Sequence, residues 1–307
     1  MLDFNKNIAV ACGLGDLFTF LTRLDNFFQV NGDYSGINFL LWNPAPNLAR
    51  ELVNFSNYPI TITDVGQMVN YLKISLPKDK LPLVEDKFIT QSSGGEGVTR
   101  YIEFLSRFFP YVEQWIYLQT YNKYKSTFPF RLNIEHAVNP EPYFVVHPVS
   151  SAVSTEKAER TWSKQRWREL IRLVAQYYIG TKLYIIGTGK DARDFRIGDF
   201  GGAVVDLRGK TSLTEAISLI YGASGVIGVN SWPTIISSWA EIPTYAQWFV
   251  QNQLIPTHIP GKPISMLTHL FIEKARTTNP TNLLTYHPDP NTAFTNVKKV
   301  FDAAITI

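Results

Sequence analysis

The sequence contains a single cysteine, Cys12, among its 307 residues. One thiol excludes an internal disulfide framework and a zinc site built from cysteines, and it is typical of a reducing compartment. No run of about 20 apolar residues is present, which excludes an ordinary transmembrane helix. The apolar amino-terminal segment contains Gly13, Gly15 and Asp16 and lacks a basic leader, so we interpret it as a strand and a helix, not a signal peptide. These absences predict a cytoplasmic protein without an integral membrane segment.

Strong charge and phosphate-loop motifs are also lacking. The formal net charge is +3 and the Lys and Arg residues are dispersed, so charge alone does not indicate non-specific nucleic-acid binding. No complete phosphate-loop motif occurs, since the only Gly-Lys-Thr triplet, at 209–211, lacks the glycine five residues earlier. A dinucleotide-binding fingerprint begins at Gly13, but Phe18 stands where its third glycine would be, which argues against a dehydrogenase.

Length and patterning predict an α/β protein of two domains. A chain of 307 residues exceeds the usual single-domain size. Apolar segments alternate with helical patterns over residues 143–240, which predicts a parallel sheet with crossover helices. We place one Rossmann-like domain at 1–140 and a second at 141–288, joined by a proline-containing linker at 133–142. A last helix at 289–307 could pack back on the amino-terminal domain.

The patterns also predict individual elements. In the first domain we expect strands at 8–12, 37–42 and 60–63 and helices at 17–28, 47–55 and 99–108. In the second we expect strands at 143–147, 182–186, 204–207 and 225–229, and helices at 164–178, 191–195, 212–221, 234–240 and 292–304.

Residues 13–16, Gly-Leu-Gly-Asp, lie between the first predicted strand and the first predicted helix. Glycines at this position let a ligand approach the backbone, and the start of a helix favours negative charge. Asp16 therefore has two possible roles. It could cap the helix, or it could act as a general base that deprotonates an acceptor hydroxyl at the edge of a cleft.

Further candidates follow the strands of the second domain, because parallel sheets bind ligands at the carboxyl ends of their strands. After the first of these strands come His147, Ser150 and Ser151, and then Arg160. Hydroxyls and a cation in this arrangement could hold a diphosphate without a metal ion. The alternative is structural, with Ser163 capping the next helix and Arg160 in a solvated loop.

Three more strand ends carry polar or glycine residues. Asp191, after Gly187, could accept hydrogen bonds from ribose hydroxyls or could serve the helix dipole. The glycine turn with Lys210 and Thr211 could offer backbone groups to a base. Ser212 and Glu215, which follow that turn, have the spacing of a capping box. Asn230 and Ser231 supply amide and hydroxyl groups beside a helix start.

The order and spacing of these clusters resemble glycosyltransferase family 9, the heptosyltransferase-like enzymes with a GT-B fold. The family's opening Gly-Asp pair is similar to Gly15-Asp16, and its basic residue, Trp and second Trp have the spacing of Arg160, Trp162 and Trp167. The resemblance covers most of the second half of the chain and one short motif in the first. Its remaining segments are 185–191, 209–213 and 227–231.

The resemblance implies two Rossmann-like domains facing a central cleft, with the acceptor on 1–140 and a nucleotide sugar on 141–288. It implies an inverting, metal-independent glycosyltransferase without a cofactor, which transfers a sugar to a hydroxyl of a saccharide or glycolipid with Asp16 as base. The donor-binding residues would be Gly15, His147, Ser150, Ser151, Arg160, Gly187, Asp191, Lys210, Thr211, Asn230 and Ser231.

Departures from the family pattern leave other functions open. Asn230, Trp232 and Ile235 stand where the family has Asp, Gly and His, so we expect a donor sugar other than the usual heptose. A second hypothesis is transfer to hydroxylated bases in DNA, with the aromatic and basic residues of 99–131 lining a groove. A sugar-nucleotide epimerase and a non-catalytic nucleotide-sugar binder are further alternatives.

Overall fold

The computed structural model describes residues 6–11, 13–31, 37–42, 46–56, 58, 61–64, 112–114, 127–149, 162–194, 196, 198, 200–229, 231–248, 283–286 and 289–305. The predicted helix at 99–108 lies outside these residues. Two compact units divide after Thr127, as Met1–Thr127 and Phe128–Ile307, whereas the sequence predicted a boundary at 140. The predicted linker at 133–142 falls in the second unit, where the Ala137 amide donates to the Ser218 carbonyl oxygen at 3.0 Å.

The first unit contains a four-stranded parallel sheet in the order β3-β2-β1-β4. The strands are β1 (Lys6–Ala11), β2 (Ile37–Trp42), β3 (Thr61–Asp64) and β4 (Val112–Gln114). The described helices are α1 (Leu14–Leu21), α2 (Leu24–Asn31) and α3 (Pro46–Asn54). Since β2 and β3 lie on one side of β1 and β4 on the other, the strand order reverses between β1 and β4.

Two short helices replace the single helix predicted at 17–28. The Thr22 hydroxyl and the Arg23 guanidinium both donate to the Thr19 carbonyl oxygen, at 2.7 and 2.9 Å. Such side-chain bonds compete with the backbone bonds that would continue a helix. The predicted apolar face is nevertheless buried across both helices, and the Phe27 ring lies 6.2 Å from that of Phe39 on β2.

The second unit contains six parallel strands in the order β10-β9-β8-β5-β6-β7. The strands are β5 (Tyr143–His147), β6 (Lys182–Ile185), β7 (Val204–Asp206), β8 (Gly225–Val229), β9 (Thr244–Trp248) and β10 (Leu283–Tyr286). The described helices of this unit are α4 (Lys164–Tyr177), α5 (Gly189–Asp194), α6 (Leu213–Gly222), α7 (Trp232–Trp239) and α8 (Pro290–Ile305). Counted from β5, this is the strand order of doubly wound nucleotide-binding sheets, with its reversal between β5 and β8. The predicted α/β class with parallel sheets is confirmed.

The core of the second unit joins its central strands to helices α4 and α8. Strands β5 and β8 are buried along their full length. Helix α4 buries Trp167, Leu170, Ile171 and Val174, the spacing of one helical face. Helix α8 packs against α4, β9 and β10 of the second unit, and its predicted packing on the first domain stays a prediction. Among the described helices, none is long and apolar enough to cross a membrane.

Candidate functional site

The carboxyl ends of β5 and β8 meet at the reversal point of the second sheet, and a predicted site residue stands at each. His147 ends β5 and is buried, with 4% exposure. The Oγ atom of Ser231, just after β8, lies 3.0 Å from Nδ1 of His147. Thr234 holds this serine, since the Ser231 amide donates to the Thr234 Oγ1 atom at 3.2 Å. Two residues 84 positions apart in sequence are thus joined across the point where such sheets bind ligands.

The loop after β6 and the turn after β7 are in backbone contact. The Gly209 amide donates to the Gly187 carbonyl oxygen at 2.8 Å. Both residues have positive φ, 148° at Gly187 and 71° at Gly209, a backbone region that residues other than glycine rarely adopt. A Cβ atom on Gly209 would lie 2.6 Å from the Gly189 Cα atom. The contact therefore requires glycine at 209, and it brings the predicted residues Gly187 and Lys210 to one edge of the sheet.

Lys210 and Thr211 lie in the turn that follows β7. The Lys210 Nζ atom donates to the Asp206 carbonyl oxygen at 2.8 Å, and the side chain is exposed. Directly after Thr211, the predicted capping box is present, because the Ser212 amide donates to the Glu215 carboxylate at 2.7 Å and the Glu215 amide donates back at 3.2 Å. Ser212 and Glu215 therefore serve the start of α6.

Asp191 is buried at the start of α5, where it forms a capping box with Thr188. The Thr188 amide and hydroxyl each donate to Asp191 Oδ2 at 2.8 Å, and the Asp191 amide donates back to the Thr188 hydroxyl at 3.2 Å. These bonds give Asp191 a structural part at the start of α5, and its role toward ribose hydroxyls stays a prediction. Both side-chain bonds use Oδ2, so Oδ1 keeps its capacity to accept a ligand hydroxyl.

Arg208 was not among the residues predicted from the sequence, although it is a buried cation at this edge, with 4% exposure. Its Nε and Nη2 atoms donate to the two carboxylate oxygens of Asp206, at 2.8 and 2.7 Å. Its Nη1 atom donates to the Asp191 carbonyl oxygen at 3.1 Å. The hydrogen bond from Arg208 holds the pKa of the Asp206 carboxyl below its ordinary value. The sequence feature that could have identified Arg208 was an arginine located between the end of a strand and a glycine.

The electrostatic surroundings of His147 keep its ring neutral. Burial lowers the pKa of His147 from 6.5 to about 4; Asp191 opposes this shift and Arg208 adds to it. The contact with Ser231 is therefore a hydrogen bond between uncharged groups at neutral pH.

The pKa of His147 is lower in the folded state than in the unfolded state. The free energy of unfolding should therefore decrease as the pH is lowered from 6.5 to about 4. In this range the unfolded imidazole binds a proton that the folded one excludes. At about pH 5 the loss in free energy of unfolding should be about 2 kcal/mol relative to neutral pH. His147→Gln should remove this part of the pH dependence, as measured by urea unfolding at both pH values. The exposed His136→Gln should keep it, and an unchanged dependence in His147→Gln would contradict the prediction.

In the first unit, Gly15 and Asp16 lie in the first turn of α1 and not in a loop before it. The Leu17 amide donates to the Gly13 carbonyl oxygen at 2.9 Å. The Thr19 hydroxyl donates to the Gly15 carbonyl oxygen, also at 2.9 Å. The loop predicted at 13–16 was too long, because the carbonyl oxygens of Gly13 and Gly15 already accept hydrogen bonds within the helix. Asp16 is the third residue of α1, past the N-cap, where an acidic residue suits the helix dipole. This turn follows β1, at the reversal point of the first sheet.

Several predicted residues lie outside the described part of the chain. They are Ser150, Ser151, Arg160 and Asn230, together with the side chain of Asp16. Ser163 does cap α4, as the structural alternative predicted, since its hydroxyl accepts from the Arg166 amide at 3.3 Å. Among the described residues, no group of three or more His, Cys, Asp or Glu side chains could hold a metal ion. Metal independence stays a prediction.

Two units with parallel sheets that reverse beside their first strands define a protein of the GT-B class. Residues 93–239, a little under half of the chain, match the model of glycosyltransferase family 9 (heptosyltransferase). The predicted family resemblance is thereby confirmed, and it supports a glycosyltransferase that uses a nucleotide sugar.

Solved structures with the same fold cover nearly the whole chain. The structure of E. coli ADP-heptose LPS heptosyltransferase II has 11% identity and a TM-score of 0.53, over 98% of both chains. That of E. coli heptosyltransferase WaaC with ADP-2-deoxy-2-fluoro heptose has 14% identity and a TM-score of 0.53, over 97% of this chain and 98% of that one. No curated protein sequence matches the chain significantly. At these identities the structural likeness establishes the fold.

Proposed function

We propose that the chain is an inverting, metal-independent glycosyltransferase that moves a sugar from a nucleotide-sugar donor to a hydroxyl of a saccharide or glycolipid in the cytoplasm. The observation that carries the proposal is the His147–Ser231 hydrogen bond across the reversal point of the second sheet, where β5 neighbours the strand β6 that precedes Gly187 and Asp191. Doubly wound sheets bind nucleotides at this edge. That position supports donor binding by the second unit.

In the proposed reaction Asp16 removes the proton of the acceptor hydroxyl, whose oxygen attacks the anomeric carbon of the donor. The bond from that carbon to the diphosphate breaks on the opposite face, and its electron pair leaves with the nucleoside diphosphate. Ser150, Ser151 and Arg160 stabilise the charge that grows on this leaving group, so that no metal ion is needed. Asp191 accepts a hydrogen bond from a ribose hydroxyl through Oδ1.

The donor sugar is proposed to differ from the family's heptose because of residues beside His147. Trp232 begins α7, and its ring centroid lies 6.2 Å from that of His147. An indole at this position fills space that a glycine would leave open and offers an apolar face to a sugar ring. Ile235, on the same helix, has no hydrogen-bonding group in its side chain.

A thermal-denaturation screen against ADP-, GDP-, UDP- and dTDP-linked sugars tests donor binding. A donor at about 100 times its dissociation constant should stabilise the protein by about 2.7 kcal/mol. The stabilising donor is then incubated with acceptor panels with and without EDTA, and transfer should be the same in both. If none of the nucleotide sugars raises the melting temperature, the proposal fails.

The same reactions separate the alternative functions. Transfer to hydroxymethylated DNA, with binding that weakens as salt rises, would favour the DNA-modifying enzyme over the saccharide-directed one. A donor converted without any acceptor would indicate an epimerase. A donor that binds without conversion or transfer would indicate a non-catalytic binder.

A further inference from the structure

Arg208 is a buried guanidinium that touches both ligand-side loops at the β6–β7 end of the second sheet. We propose that Arg208 is a positioning residue, which fixes the loop after β6 against the turn after β7 so that the two form the nucleoside-binding edge of the donor site. This inference rests on the proposed function, and it adds a residue to which that function gives no role.

The contacts of Arg208 span the loop after β6 from one end to the other. At the first end, a Cβ atom placed on Gly187 would lie 3.3 Å from the Arg208 Cγ atom, so the aliphatic stem packs directly on that glycine. At the other end, Nη1 donates to the Asp191 carbonyl oxygen at 3.1 Å. One side chain thus contacts the loop where it leaves the strand and where it enters α5.

The head of Arg208 is held in turn by the strand that precedes it. Asp206, the last residue of β7, accepts from Nε and Nη2 and also from the Arg208 amide, at 3.1 Å. This bidentate pair fixes the guanidinium plane, which a lysine ammonium could not do. It also neutralises a charge that would be costly to bury alone.

The loop after β6 and the turn after β7 need a side chain that holds them together, because their contact is formed by glycines. Gly187, Gly189 and Gly209 meet backbone to backbone, and glycine restricts a loop less than any other residue. In dinucleotide-binding sheets of this topology, an acidic residue beyond the second strand hydrogen-bonds the ribose. Arg208 holds that residue, Asp191, through its carbonyl group. Loss of the Arg208 contacts should therefore weaken nucleotide binding and leave the chemical step unchanged.

Two variants test this role. Arg208→Lys keeps the charge and removes the bidentate geometry. The double variant Arg208→Met/Asp206→Asn removes both charges together, so no unpaired charge stays buried, and its asparagine can still accept the amide bond of residue 208. The matched control is Arg172→Lys on α4, because Arg172 also pairs with a carboxylate, that of Glu169, but at the exposed surface.

The probes are ADP, GDP, UDP and dTDP, titrated calorimetrically into each protein, and steady-state kinetics with the donor found above. For the nucleotide that binds the wild-type chain, both test variants should raise the dissociation constant and the donor KM about 10-fold or more, with kcat within about two-fold. The control should match the wild type. Hydrogen exchange should speed up at 187–191 in the test variants, while β5 and β8 stay protected.

Wild-type affinity in the folded double variant would overturn the inference, as would a loss confined to kcat and thermal stability. Either result would leave the proposed function intact, because the wild-type chain would still bind its nucleotide. If none of the four nucleotides binds the wild-type chain, the proposed function fails and the inference fails with it.

Discussion

Replacement of Asp16 by asparagine should lower turnover by about 10²- to 10⁴-fold, the range that a positioned general base contributes. The amide has the size of the carboxylate but cannot accept the proton of the attacking hydroxyl. Donor affinity should stay within a few-fold of wild type, since the proposed donor site lies on the second unit. Turnover is measured as product formation at saturating donor and acceptor, and affinity by titration of the nucleoside diphosphate.

A matched control for Asp16→Asn is available in the same unit. Asp25→Asn makes the same chemical change on α2, where Asp25 is exposed and accepts a hydrogen bond from the Thr127 hydroxyl at 2.7 Å. It should keep wild-type turnover. If Asp16→Asn is as active as Asp25→Asn, the carboxylate of Asp16 has no part in the mechanism and another group must be the base.

The elements that could be predicted most accurately from the sequence are those whose patterns depend on local burial. The predicted strands at 143–147 and 225–229 coincide with β5 and β8, because both are short apolar runs buried on two faces. The split between α1 and α2 was missed, since it depends on side-chain bonds from Thr22 and Arg23 to one carbonyl group. Strands β9 and β10 were not predicted, because Thr244–Trp248 and Leu283–Tyr286 mix polar and apolar residues without a clear period.

The candidate site could be predicted in part for a related reason. His147 and Ser231 could be predicted as site residues because the ends of the strands can be recognised in the sequence. The topology of the sheet then brings these strand ends together. Arg208 could not be predicted in this way, because its burial follows from tertiary contacts with Gly187 and Asp191. An arginine next to a glycine turn is ordinarily an exposed residue. Local pattern therefore locates ligand-side loops better than it identifies the side chains that hold those loops together.

Phe301→Ala should lower the free energy of unfolding by about 3–5 kcal/mol, the usual cost of removing a buried aromatic ring. Phe301, on α8, is 1% exposed, and its ring centroid lies 4.5 Å from that of Phe144 on β5. The ring also covers Gly225 at the start of β8, where a Cβ atom would lie 2.6 Å from Phe301 Cε1. The large cavity left behind would open against both central strands. Thermal denaturation should show a melting temperature about 10 °C lower.

Phe294→Ala is the internal comparison, because Phe294 lies on the same helix but is only partly buried, with its ring centroid 5.6 Å from that of Tyr177. It should cost far less stability, since less apolar area leaves the core. Equal, small losses in the two variants would show that α8 is not part of the core beneath β5 and β8. A large loss in Phe301→Ala alone would mean that α8 supports β5 and β8, the two strands that lead to His147 and Ser231. Stability of the proposed nucleotide-binding edge would then depend on the packing of α8.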